Sequence, residues 1–182
     1  MGICARILKM ARWKVIINVP EVPKSIIVVA PHTSNWDFIL CILASRAAGR
    51  KIGFLMKESW FFFPLNILFK ALGGIPVSRR KDRKESLTDA VIEKFNHSER
   101  LTVAITPEGT RSRTSRWHTG FLRIAEGAHV PIYLAALDFP SRTVILDKEF
   151  TPSGDVEADM RAIKDYYKPF TGRFADRFST DY

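Results

Sequence analysis

Cysteine is scarce in this chain of 182 residues: it has only Cys4 and Cys41, and their spacing matches neither a zinc site nor a disulfide framework. A fold stapled by disulfides or metal is thereby excluded, and a reducing compartment fits. Acidic residues are few, with 19 Asp and Glu against 28 Lys and Arg. The resulting formal charge of +9 calls for an anionic partner: nucleic acid, an anionic membrane surface or a phosphorylated substrate. No uninterrupted apolar run reaches the about 18 residues of an ordinary transmembrane helix. A secretory leader is not expected, because Arg6, Lys9, Arg12 and Lys14 break the first apolar stretch. Arg6 also stands where a myristoylation signal needs Ser or Thr. Internal repeats and linkers are missing too, so residues 1–182 read as one domain.

What is present is a core. Apolar residues make up 46% of the chain, enough for a globular domain. Strands are predicted at Lys14–Val19, Ser25–Ala30, Ile52–Met56, Ile75–Val77, Leu101–Thr106, Pro131–Leu137 and Arg142–Leu146. Between them the spacing predicts helices from Ser34 or Asn35 to Ala48, over 82–97, over Gly120–Ala128 and over Asp155–Tyr167. Strands alternating with helices predict an α/β fold, its sheet mixed but largely parallel and flanked by helices.

Three segments stand apart. Residues 1–13 pattern as a basic amphipathic helix, with Ile3, Ile7, Met10 and Ala11 on one side and Arg6, Lys9 and Arg12 on the other. That pattern suits a helix lying in a membrane interface, and equally a terminal helix packed on the core. The stretch Ser59–Leu72 is rich in aromatics but is broken by Pro64, Asn66 and Lys70. It reads either as core or as an apolar patch meeting lipid, with Trp60, Phe61, Phe62 and Phe63 as its contacts. The tail 171–182 has no period and is expected to be loosely packed.

The chemistry gathers after strands. The apolar run Ile26–Ala30 ends at Pro31, placing His32 at a strand's carboxyl end and Asp37 in the first turn of the next helix. Ligands of open α/β sheets collect at such ends. Across that corner the carboxylate can fix the imidazole tautomer and raise its basicity, making His32 a candidate general base. Taken alone, the pair reads rather as a loop histidine beside a helix-start charge. Ser34, two residues after the histidine at a helix start, reads as a cap. Two further strands run into polar, Gly-rich or basic residues, at Gly74–Arg80 and Glu108–Arg113. In a parallel sheet the three loops share one edge. The forked guanidiniums of Arg79 and Arg111 suit a phosphate, although taken alone Arg79-Arg80-Lys81 reads as a solvated basic run. Glu108 can orient the hydroxyls of a ligand, hold an arginine or form a simple surface ion pair, and Gly109 gives either close backbone approach or a turn.

Those loops carry a resemblance. His32-Thr33-Ser34-Asn35-Trp36-Asp37 resembles the H-x-x-x-x-D signature of the glycerophospholipid acyltransferases, which include lysophosphatidic acid acyltransferase. Gly74-Ile75-Pro76-Val77-Ser78-Arg79 resembles that family's second block, and Pro107-Glu108-Gly109-Thr110-Arg111-Ser112 its third. Val130-Pro131-Ile132 resembles its fourth. The blocks fall in the family's order within residues 26–137, although Pro31 and Ser78 depart from the common pattern. The resemblance implies His32 and Asp37 as the catalytic pair, and Arg79, Glu108, Gly109, Thr110, Arg111 and Pro131 as substrate-binding residues. It implies transfer of a fatty acyl group from an acyl-CoA or acyl-carrier-protein thioester to a lysophospholipid hydroxyl such as that of 1-acyl-glycerol-3-phosphate. No bound cofactor or metal is expected. The N-terminal helix and the Trp60–Phe63 block then suggest peripheral association with the cytoplasmic face of an anionic membrane.

Other readings compete with this one. The acceptor can be another lysolipid, for example an amino-acid lipid. A thioesterase-like hydrolase would use His32 to activate water. A basic lipid- or nucleic-acid-binding protein would explain the charge without catalysis. Against nucleic acid, the aromatics cluster in one apolar block and do not interleave with cations as a stacking platform requires.

Overall fold

The second strand, Lys24–Ala30 (β2), lies at the centre of the molecule. Ile26 to Ala30 are all buried, because the strand has sheet neighbours on both sides and helices on both faces. In this computed structural model, which describes residues 2–77 and 86–182, β2 sits fourth in a seven-stranded sheet. The other strands are β1 (Lys14–Ile17), β3 (Gly53–Lys57), β4 (Gly74–Val77), β5 (Leu101–Ile105), β6 (Ile132–Asp138) and β7 (Thr143–Phe150), in the order β1-β7-β6-β2-β5-β3-β4. β6, β2, β5, β3 and β4 are mutually parallel; β7 runs antiparallel to β6, and β1 parallel to β7. The α/β architecture with a mixed, largely parallel sheet is therefore present.

Side-chain alternation builds two cores. Ile26, Val28 and Ala30 point to one face with Ile132, Leu134 and Ala136 of β6. There they meet helices α4 (Leu87–Asn96), α5 (Gly120–Ala128) and α6 (Val156–Tyr167) through Val91, Phe95, Phe121, Leu122, Ile163 and Tyr167. Ile27 and Val29 point to the other face with Tyr133, Ala135 and Leu137, under α1 (Ile3–Met10) and α2 (Asn35–Ala47), which contribute Leu8, Leu40 and Ala44. Each buried Val, Ile or Leu contributes about 1.5–3 kcal/mol, so β2 is fixed from both sides. The Tyr167 hydroxyl adds a hydrogen bond to the Val28 carbonyl at 2.7 Å.

Most predicted elements are present, with four differences. β7 runs to Phe150, past the expected end at Leu146; its charged second half pairs with β6 alone because β1 stops at Ile17. The expected helix 82–97 is described from Leu87, and residues 82–85 lie outside the described residues. The aromatic stretch forms a 3-10 turn at Glu58–Trp60 and helix α3 (Leu65–Ala71), and neither contains a buried residue.

The largest difference is the tail. It is packed rather than loose, and it crosses the carboxyl edge of the sheet. Thr171 is bonded through its N–H to Asp138 (3.0 Å) and through its carbonyl to the Phe139 N–H (2.9 Å), at the end of β6. Gly172 then lies so close to β2's exit that an added Cβ would meet the Thr33 side chain at 2.7 Å and Pro31 at 3.1 Å. Beyond a 3-10 turn at Ala175–Arg177, the Ser179 carbonyl accepts from Trp117 Nε1 at 3.2 Å and Asp181 pairs with Arg113 at 3.1 Å, beside the loop that follows β5. Lys164 of α6 donates to the carbonyls of Ser115 and Asp181, tying that loop and the tail together.

Candidate active site

The strand order brings the ends of β2 and β5 side by side, so His32 and Glu108 share one edge. Ser34 is the extended N-cap of α2, and Asp37 reaches back as its capping carboxylate. One oxygen, Oδ2, accepts the N–H groups of Thr33 and Ser34, both at 2.7 Å, and lies 3.3 Å from His32 Nδ1. The other accepts the Ser34 hydroxyl at 2.8 Å. Burial raises the Asp37 pKa, but the His32 contact and the Ser34 and Thr33 donors outweigh it and hold the carboxyl below its usual range. Asp37 is thus a buried anion aimed at one imidazole nitrogen. His32 is partly exposed, and Nε2 is its ring nitrogen away from the carboxylate.

Glu108 approaches from β5. It is 2% exposed, and its Oε1 accepts the His32 N–H at 2.7 Å. Burial pushes its pKa up to about 8; the His32 N–H opposes this, and the Asp37 charge reinforces it. The structure adds a contact that the sequence did not suggest. No arginine pairs with Glu108 among the described residues, and the carboxyl grips the His32 backbone instead. Gly109 makes a left-handed turn at φ 64°, and a Cβ there would collide with the His118 ring at 2.6 Å. His118 was not legible in sequence, since nothing in its neighbourhood marks it.

The remaining candidates divide. Thr110 and Arg111 are exposed on the same loop as Glu108. Arg79 lies outside the described residues. Pro131 precedes β6 at the opposite edge, roughly 20 Å from His32 by strand rise, where its carbonyl accepts the Ile26 N–H. Ser34 is a cap, and Cys41, one turn beyond Asp37, is kept a thiol by a pKa of about 12, raised by burial and then by the Asp37 charge. Neither is a free nucleophile. Among the described residues no cluster of His, Cys, Asp and Glu could hold a metal ion.

The proposed surface residues also divide. Arg6, Lys9 and Arg12 are exposed, as are Ile3, Ile7 and Met10, while α1 is held to the body by Leu8. Trp60, Phe62 and Phe63 are exposed, Phe63 to 78%. Phe61 is corrected: it turns inward against Phe69 and the Gly74 backbone. No helix among the described residues is long and apolar enough to cross a membrane.

Comparison with known proteins agrees with this geometry. The chain superimposes on the crystal structure of the 1-acyl-sn-glycerophosphate (LPA) acyltransferase PlsC from Thermotoga maritima with a TM-score of 0.58 at 20% identity, covering 93% of this chain and 78% of that one. No curated protein gives a significant match. A family model described as Acyltransferase matches residues 15–137, which include both carboxyl-edge loops, and the chain belongs to that acyltransferase family.

Proposed function

We propose that this acyltransferase moves a fatty acyl group from a thioester donor, acyl-CoA or acyl-carrier protein, to the hydroxyl of a lysophospholipid, with His32 as general base. The observation that carries the reading is the Asp37 carboxylate beside His32 Nδ1 at the carboxyl edge of the sheet, which leaves Nε2 to meet the acceptor. In the reaction Nε2 takes the acceptor hydroxyl proton as the oxygen attacks the thioester carbonyl. The tetrahedral intermediate collapses by breaking the carbon–sulfur bond, and the thiolate leaves with the proton from Nε2–H. A positioned base is typically worth about 10²–10⁴-fold, and holding both substrates on one edge adds the proximity contribution. Arg111, and Arg79 by the sequence resemblance, would meet the acceptor phosphate. The enzyme would work at the cytoplasmic face of an anionic membrane, with the Ile3, Ile7 and Met10 stripe and the Trp60, Phe62 and Phe63 block entering the interface beside Lys9, Lys57 and Lys70. The test is product analysis with a palmitoyl thioester and a panel of lysolipids. New ester with lysophosphatidic acid is the expected product. Ester only with a non-phosphate lysolipid would overturn the arginine assignment. Free fatty acid regardless of acceptor would make the protein a hydrolase.

A further inference from the structure

The tail does more than cover the edge of the sheet. Gly172 is wedged on Thr33 and Pro31, and the Phe174 N–H donates to Thr33 Oγ1 at 3.3 Å, which fixes the intervening Arg173 beside the histidine loop. The Arg173 guanidinium stacks 5.4 Å from the ring of Trp36, a residue inside the His32–Asp37 motif. It also lies 5.7 Å from the Phe174 ring, against which Arg177 stacks at 4.4 Å. The Phe174 ring thus contacts both guanidiniums, and Trp36 ties Arg173 to the histidine loop. Neither guanidinium, nor Asp176 between them, forms an ion pair among the described residues. A cation–π contact leaves the N–H donors of a guanidinium available to an anion. Two exposed guanidiniums on one short segment, neither of them ion-paired among the described residues, are suited to a phosphate.

We propose that Arg173 and Arg177 form a phosphate subsite of the acyl-transfer cleft, built by the C-terminal segment on Trp36 and Phe174. The segment lies outside residues 15–137, the stretch matched by the family model. The inference rests on the acyl-transfer reading in assigning the ligand, because both substrates of that reaction carry phosphate esters: coenzyme A on the donor side and the lysolipid headgroup on the acceptor side. The stacked guanidiniums recognise the chemistry the two share.

The test compares the chain with Arg173→Ala, Arg173→Lys and Arg177→Ala. The charge control is Arg100→Ala, whose side chain pairs with Glu21 beyond the opposite edge of the sheet. Calorimetric titrations use coenzyme A and a short-chain lysophosphatidic acid below its micelle concentration, and acyl-transfer KM is measured in parallel. Loss of a charge-assisted contact predicts about tenfold weaker binding for Arg173→Ala, severalfold for Arg177→Ala, partial recovery in Arg173→Lys and no more than about twofold for Arg100→Ala. A shift confined to coenzyme A assigns the donor phosphates; one confined to lysophosphatidic acid assigns the headgroup. Equal binding of both ligands by wild type and Arg173→Ala, or a loss no larger than that of Arg100→Ala, overturns the subsite. So does a wild type that binds neither ligand. Phosphate binding that depends on Arg173 in a protein that transfers no acyl group would overturn the acyl-transfer reading and leave the subsite standing.

Discussion

Asp37 caps a helix and meets the His32 ring with the same carboxylate, so its replacement has two separable consequences. In Asp37→Asn an amide replaces one oxygen among the N–H donors of Thr33 and Ser34 and the His32 ring. Leaving buried donors without an acceptor costs about 1–3 kcal/mol, and calorimetric unfolding should show a loss of that order. Acyl transfer should fall further than the folded fraction does; activity that simply tracks folding would reduce Asp37 to a cap. Glu108 gives a pH signature. Its pKa is about 8 in the fold against 4.5 ordinarily, so between those values the native state holds a proton that the unfolded state releases. The stability this confers is full below about pH 4.5 and is lost as pH rises through about 8, a swing on the order of a few kcal/mol. Glu108→Gln, which cannot ionise, should therefore gain on wild type in melting temperature from pH 5.5 to pH 9. Parallel curves would mean that Glu108 is ionised throughout.

The tail spans the loops that follow β2 and β5, gripping Thr33 at one end and Trp117 and Arg113 at the other. Gly172→Ala tests that grip, because its Cβ would fall 2.7 Å from Thr33 Oγ1 and 2.8 Å from Thr33 Cγ2, on a side chain with no exposed surface. Overpacking of this kind costs typically about 1–3 kcal/mol, and tail residues should become susceptible to limited proteolysis in the folded protein. An unchanged melting temperature and digestion pattern would show that the segment yields freely. The tail is also where sequence reasoning fell short. β2, α2 and α5 were legible because their apolar spacing, the Ser34 cap and the Gly49 stop are local signals. The His32–Asp37 corner was legible for the same reason. The tail has no such period; its partners lie far away in sequence, so its packing and the Trp36–Arg173 stack are visible only in three dimensions. The place of Pro131 at the far edge was not legible either, because a block's order in the chain does not say at which end of a strand it falls.

Taken whole, the molecule carries a charge of +9 and leaves two apolar surfaces uncovered. α1 exposes Met10 to 83% while Leu8 fastens the helix to α2, so its outer stripe can be altered without unseating it. A combined Ile7→Ser, Met10→Ser, Phe63→Ser variant should remain folded and sediment several-fold less with anionic vesicles, and the wild type should release as salt rises. Equal sedimentation would assign those surfaces to another partner. The account depends most directly on His32. Transfer of a palmitoyl group to lysophosphatidic acid, followed side by side in wild type and in a His32→Ala variant of matched melting temperature, should fall by about 10²-fold or more. Transfer by the variant within a few-fold of wild type would contradict the account, because Nε2 would then not be the base.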